Sequence, residues 1–279
     1  MTTTPDPSRL VFVGGLHRSG TTPFSRVLDG HPRVSGLSGT GVKEDEGQHL
    51  QTVYPKAKVY GGSGRFAYAP QAHLTEASPL VTSANATSIL QAWAPFWRDG
   101  ADLLVEKSPP NLIMGRFLQA LYPGSAFVVV VRHPVAVALS NKKWRRLTSS
   151  NPRKFQSLAM MVDHWFTAHD ILSADLAHLE RVLVVHYEQL VGAPEAELAR
   201  VSSFLGLDTP IDHTALSRSH GDSYAQKWDD YGSTMWRPGG WQRRLITTKY
   251  GERMARFGYD VDDLAGFTAP DGPAGLQRS

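Results

Sequence analysis

The stretch Leu10–Thr22, LVFVGGLHRSGTT, constrains the fold of this chain more than any other segment. Its first four residues, Leu10, Val11, Phe12 and Val13, are apolar and rich in the β-branched and aromatic types that suit a strand. They run into a turn at Gly14-Gly15. Arg18, Ser19, Gly20, Thr21 and Thr22 follow, and then Phe24, Val27 and Leu28 at helical spacing. The interval Gly15-x-x-x-x-Gly20-Thr21-Thr22 has the outline of a phosphate-binding loop, with Thr21 where a nucleotide triphosphatase carries lysine. A strand that passes through such a loop into a helix aims the backbone N–H groups of Arg18 to Thr22 at an anion. Arg18 adds a fixed positive charge and the threonine hydroxyls add donors, while the lysine that reaches a γ-phosphate is absent.

Strand-like and helix-like segments alternate along the rest of the chain, which predicts an α/β fold with a central parallel sheet flanked by helices. The spacing predicts a helix over Pro23–Asp29, closed by His31-Pro32. Further helices are expected near Ser88–Trp97, Leu112–Leu121, Leu158–Leu179, Glu195–Leu205 and Thr248–Phe257, with strands at Leu103–Val105, Phe127–Val131 and Val182–Val185. The unbroken valines of the Phe127 strand suit a position buried on both faces. Met161, Trp165, Ala168, Leu172 and Leu176 form one apolar stripe of a core helix. Residues 36–85 are irregular, with a short helix expected over Glu46–Val53. So long an insert in a domain of this size reads as a functional loop or lid. Residues 1–9 read as a disordered lead-in and 268–279 as a flexible tail, which leaves 10–267 as one domain.

Three further segments carry candidate chemistry. Arg132 ends the valine strand, and ligands of open α/β sheets gather outside the carboxyl ends of strands. Ser140 lies eight residues on, about two helical turns into the next element, so Arg132 and Ser140 together would clamp a second phosphate. Glu106-Lys107-Ser108-Pro109 ends another strand, and Lys107 there would neutralise charge building on a bridging oxygen. Lys43-Glu44-Asp45-Glu46-Gly47-Gln48-His49 offers a carboxylate to act as general base toward a hydroxyl, Glu46 before Glu44. His17, His31 and His49 are further candidate bases.

At these residues the chain resembles the sulfotransferases that use 3′-phosphoadenosine 5′-phosphosulfate. LHRSGTT is similar to that family's 5′-phosphosulfate loop, and VVVVRHPVAVALS to its 3′-phosphate motif, with Arg132 and Ser140 in the family's Arg and Ser places. EKSPPN is similar to the segment that carries a catalytic lysine, here Lys107. His186-Tyr187-Glu188-Gln189-Leu190 is similar to the late strand and helix, which would set Tyr187 near the adenine. The segment Gly14 to Pro32 lies nearest the tyrosylprotein and bacterial small-molecule branches. The resemblance implies a P-loop-like domain over residues 10–267. It implies in-line transfer of a sulfuryl group to a hydroxyl acceptor, with Glu46 as base and Lys107 catalytic. Arg18, Ser19, Gly20, Thr21, Thr22, Arg132, Ser140 and Tyr187 would hold the donor.

Two other readings compete: an ATP-dependent phosphoryl transferase on a related scaffold, and a non-catalytic nucleotide-binding protein. The first calls for a lysine at Thr21 and a magnesium-binding aspartate, and no segment reads as either, so no metal is expected. Composition narrows the rest. The net charge of +3 comes without a polybasic run, and aromatics do not interleave with a basic stripe, so no nucleic-acid partner is expected. Zero cysteines exclude disulfides and thiolate nucleophiles. The polar start MTTTPDPSR and the lack of an apolar run near ~20 residues predict a cytoplasmic protein without a membrane span. The acceptor is expected to be a small molecule or glycan bearing a hydroxyl. Its pocket would be framed by the 36–85 insert and by Tyr224, Trp228, Tyr231, Trp236 and Trp241.

Overall fold

In the computed structural model, residues 5–148, 157–214, 216, 221–232, 238–270 and 276 are described. Five strands, β1 (Leu10–Gly14), β2 (Val34–Gly36), β3 (Leu103–Lys107), β4 (Ala126–Val131) and β5 (Val182–His186), form one sheet in the order β2-β3-β1-β4-β5. Every pairing is parallel, with Val13 opposite Lys107 on one side and opposite Val128 on the other. The helices are α1 (Thr21–Asp29), α2 (Ser83–Trp93), α3 (Gly115–Leu121), α4 (Pro134–Thr148), α5 (Leu158–Asp175), α6 (Tyr187–Gly192), α7 (Pro194–Leu205), α8 (Gly221–Gly232) and α9 (Pro238–Arg256). None of the described helices is long and apolar enough to cross a membrane.

The two faces of the sheet carry separate cores, and the alternation of side chains along each strand assigns them. On β1, Leu10 and Phe12 face one core while Val11 and Val13 face the other. On β4, Phe127, Val129 and Val131 join the first, and Ala126, Val128 and Val130 the second. The first core takes α2, α3, α4, α5 and α9. The second is closed by Phe24, Val27 and Leu28 of α1 and by Leu198, Val201 and Leu205 of α7. Both faces are therefore dry, which is why β4 reads as valine without polar interruption. The α5 stripe from Met161 to Leu172 is buried as expected.

Several boundaries differ from the sequence expectation. No helix covers Glu46–Val53; only a 3-10 turn, Gly47–His49, forms there. The side chain of Gln51 accepts from the N–H of Val53 and of Tyr54, and Gln48 Oε1 accepts from Ala57 N at 3.0 Å. These side chains satisfy the backbone that a helical ladder would otherwise serve. The insert is no lid: Tyr54, Ala57, Phe66, Ala67 and Ala72 are buried in the first core. The last helix starts at Pro238 rather than Thr248, and β2 and α8 were not expected. Residues 1–4 and most of the 268–279 segment lie outside the described residues, whereas Pro7–Arg9 forms a 3-10 turn.

Candidate active site

The carboxyl ends of β1, β3, β4 and β5 converge on one cleft of about 320 Å³. Arg18 and Gly20 line it from the loop after β1, Thr21 and Thr22 from the start of α1, Arg132 from just past β4, Ser140 from α4, Tyr187 from the start of α6, and Glu46 from the insert. The sheet order places β1 between β3 and β4, so chain connections leave its end in opposite directions and open the crevice there.

The loop after β1 is held in a conformation few residues tolerate. Gly20 has φ +100°, and a Cβ on it would lie 2.4 Å from Cδ2 of Tyr187. Arg18 is itself left-handed at φ 77°, a strained position for a residue with a side chain. That twist lets Arg18 Nε donate to Ser140 Oγ at 2.9 Å, which also accepts from Tyr224 OH at 3.0 Å. Ser19 Oγ is buried and makes no hydrogen bond.

Arg132 is fixed from behind. Its carbonyl accepts from Trp165 Nε1 at 2.9 Å, and the next N–H, of His133, donates to Glu188 Oε1 at 2.9 Å. The guanidinium donates to Arg18 O at 3.3 Å and lies 4.2 Å above the Tyr187 ring. Burial pushes the Glu188 carboxyl up to about 7. Tyr187 is thus packed between Gly20 and Arg132, at the junction of the loop and the β4 end.

Glu46 lines the cleft, and Lys107 lies behind it in a smaller adjoining pocket shared with Thr22 and Glu44. Both are buried, at 5% exposure each, with Lys107 Nζ 3.6 Å from Glu46 Oε1. The ammonium also donates to Glu44 O at 2.8 Å and to Thr22 Oγ1 at 3.3 Å, which ties β3 to the phosphate-type loop. Two successive left-handed residues, Glu44 (φ 56°) and Asp45 (φ 49°), turn the insert so that Glu46 faces inward while Glu44 stays exposed. Glu46 Oε2 accepts from Gln48 Nε2 at 2.6 Å and lies 3.5 Å from His49 Nε2.

His17 lines the cleft beside Phe66, with ring centroids 5.9 Å apart. Burial, and then the charge of Lys43, push it down to about 3, so it is uncharged. His31 bonds Thr209 Oγ1 and Arg33 N away from the cleft. The aromatic frame expected around an acceptor is mostly not there. Among the described residues of that group only Tyr224 lines the cleft; Trp228 is fully buried, Trp241 lies 64% exposed on α9, and Trp236 lies outside the described residues. Of the insert, Lys43, Glu44 and Glu46 reach the cleft. Among the described residues, no group of three or more His, Cys, Asp or Glu is placed to hold a metal ion.

The role of Tyr224 beside Ser140 escaped sequence reasoning, although Tyr224, Trp228 and Tyr231 stand at i, i+4 and i+7 and announce a helix. So did Glu106, whose carboxyl is fully buried at the end of β3.

Comparison with known proteins places this geometry. A family profile described as "Sulfotransferase family" matches residues 10–211. Protein-tyrosine sulfotransferase 2 of Gallus gallus is 28% identical over 215 residues, covering 74% of this chain and 54% of that protein. The chain spans about half the length of the curated relatives it matches. Among solved structures, the sulfotransferase domain from the Synechococcus PCC 7002 olefin synthase superimposes with a TM-score of 0.51 at 20% identity, over 93% of this chain and 99% of that one. Sulfotransferase STF9 from Mycobacterium avium gives 0.54 at 13% identity, over 91% and 78%. Phosphate-type loop, α/β fold and family profile agree: the chain belongs to the sulfotransferase family.

Proposed function

We propose that this chain moves a sulfuryl group from 3′-phosphoadenosine 5′-phosphosulfate to a hydroxyl acceptor. The observation that carries the reading is the buried Glu46–Lys107 pair at 3.6 Å, set against Thr22 of the phosphate-type loop. The residues present fit the donor. Ser19 Oγ has no partner, Gly20 keeps the loop backbone open, and Arg18, Arg132 and Ser140 gather at one end of the cleft.

The donor supplies an activated sulfur–oxygen bond. Transfer forms a bond from the acceptor oxygen to sulfur and breaks the bond from sulfur to the bridging phosphate oxygen. Glu46 would take the acceptor proton, and Lys107, Arg18 and the loop N–H groups would meet the charge left on the phosphate. Arg132 and Ser140 would grip the 3′-phosphate, and Tyr187 would border the nucleoside. Positioning and electrostatics would carry most of the rate, as in phosphoryl transfer. The protein-tyrosine relatives make a phenolic hydroxyl one acceptor to screen, beside small-molecule and glycan hydroxyls.

A thermal-shift comparison of adenosine 3′,5′-bisphosphate with ATP tests the donor site. The bisphosphate is expected to raise Tm at concentrations where ATP does not, and Arg132→Ala should abolish that shift. Incubation of the donor with the acceptor panel should yield a product whose accurate mass is that of sulfation rather than phosphorylation. Stabilisation by ATP alone, or a phosphorylated product, overturns the reading.

A further inference from the structure

Glu106 and Lys107 are consecutive in β3, so their side chains leave opposite faces of the strand. Both reach the same irregular segment of the insert. Lys107 Nζ donates to the carbonyl of Glu44 at 2.8 Å, while Glu106 Oε1 accepts from the N–H of Gly47 at 3.0 Å. Glu46 lies between those two points. We propose that Glu106 is the positioning residue of this site, the anchor that docks residues 46–48 on the end of β3 and so presents Glu46 to Lys107. The catalytic meaning of that pair rests on the function proposed above, whereas the docking itself does not.

The platform is built in detail. Ser108 Oγ donates to Glu106 Oε1 at 2.6 Å and accepts from Gln48 N at 3.0 Å, and Asn111 Nδ2 donates to Glu106 Oε2 at 2.6 Å. Trp93 Nε1 donates to Gly47 O at 3.0 Å from the other side. Gly47 sits so close that a Cβ there would lie 2.6 Å from Glu106 Cγ and 2.8 Å from Trp93 Nε1. Gln48, held through its N–H by Ser108, turns its own amide onto Glu46 Oε2. A carboxyl at position 106 thus fixes the base three hydrogen bonds of the network away without touching the cleft. Among the described residues no cation lies within 4 Å of it. The charged and polar groups whose fields reach it are Lys107, Glu46 and the hydroxyls of Tyr54 and Tyr122. It serves as an acceptor for N–H and O–H groups rather than as an ion-pair partner.

Glutamine at position 106 keeps the oxygen that takes Gly47 and Ser108, and once the Asn111 amide turns over, its Oδ1, which has no partner now, accepts from the new amide in place of the present Nδ2 bond. Alanine keeps nothing. Full-length Glu106→Ala, Glu106→Gln and Gly47→Ala are compared by trace acetylation with site-resolved mass spectrometry, exposed Lys249 serving as internal standard. Adenosine 3′,5′-bisphosphate binding is measured in parallel. Glu106→Ala and Gly47→Ala are expected to raise Lys107 acetylation roughly tenfold, the factor equivalent to about 1.4 kcal/mol of lost pairing. Glu106→Gln should restore the wild-type level, and bisphosphate affinity should hold in all three. Gly47→Ala leaves every network side chain intact, so the comparison stands even where Glu106→Ala does not fold. Unchanged Lys107 labelling in folded Gly47→Ala overturns the proposal, as does bisphosphate binding that falls in step with labelling, which marks general loosening. A normal labelling response with no transfer to any acceptor would remove the proposed function and leave the positioning role intact.

Discussion

The Glu46–Lys107 pair should couple strongly in stability as well as in chemistry. At 3.6 Å, with side chains 7% and 5% exposed, the two charges attract by about 4–5 kcal/mol at an effective dielectric constant near 20. Desolvation cancels much of that gain when the pair is compared with apolar isosteres. Removal of one partner, by contrast, strands the other charge in the interior and typically costs about 3–5 kcal/mol. Each stranded group here keeps some polar contacts, Gln48 for Glu46 and the Glu44 carbonyl for Lys107. The lower end of that range, about 3 kcal/mol, is therefore expected for Glu46→Gln and for Lys107→Met alone. The double variant holds no stranded charge and should be no less stable than either single, which puts the coupling energy at about 3 kcal/mol or more.

Urea unfolding followed by tryptophan fluorescence measures the cycle. With a slope of about 3 kcal/mol/M for a domain of this size, each single variant should lower the midpoint by about 1 M and the double by no more. The half-exposed pair Arg33–Asp102, at side-chain exposures of 40% and 54%, is the control. Its coupling should stay below about 1 kcal/mol and vanish in high salt, while that of the buried pair persists. Single-variant costs that add within about 0.5 kcal/mol would refute the reasoning, since independent sites behave that way.

What could be read from sequence divides by how far apart the determining residues stand. The loop from Leu10 to Thr22 announces itself because strand, turn and helix start fall within thirteen consecutive residues. The valines of β4 declare a doubly buried strand, and Arg132 follows directly. Lys107 was legible as a cation at a strand end. Glu106, its neighbour, was not, because its meaning depends on Gly47, which lies 59 residues away and donates the N–H that the carboxyl accepts. β2 is three residues long, and its place at the sheet edge comes from pairing with β3 rather than from any pattern of its own. As aromatics near the chain's end, Tyr224, Trp228 and Tyr231 suggest a pocket frame, whereas their spacing marks one face of α8 whose burial disperses them. Trp228 packs inward with its N–H on Val261 O, and Tyr224 alone turns to the cleft.

Two further predictions follow from the packing. Gly20→Ala forces a side chain onto a residue at φ +100° and into the Tyr187 ring, so it should cost about 1–3 kcal/mol of strain and weaken bisphosphate binding in calorimetry. Tyr187→Ala in the same chain should recover part of the stability, and unchanged stability in Gly20→Ala alone would dispose of the steric argument. The pH dependence of stability should show a knee. Burial pushes His133 and His169 down to about 4 and His17 and His186 to about 3, all far below the ordinary histidine range. Their depressed values mean that they contribute stability in full above about pH 6.5 and lose it as pH falls, at about 1.4 kcal/mol per unit for each. Glu106 and Glu188 act in the opposite sense. Burial raises both to about 7, so the folded chain holds their protons more tightly than the unfolded one, and their contribution is complete below about pH 4.5 and lost as pH rises toward 7. Between about pH 6.5 and 4.5 the two carboxyls offset two of the four histidines, which leaves a net loss of about 3 kcal/mol per unit. Below about pH 4.5 the offset is exhausted, and the slope should steepen to about 5 kcal/mol per unit until the histidines take up protons. Urea midpoints from pH 7.5 to 4 trace the curve. Glu106→Gln with Glu188→Gln should remove the shallow limb and make the fall steep from pH 6.5 downward; a double variant that keeps the shallow limb would show that these two carboxyls do not hold their protons in the fold.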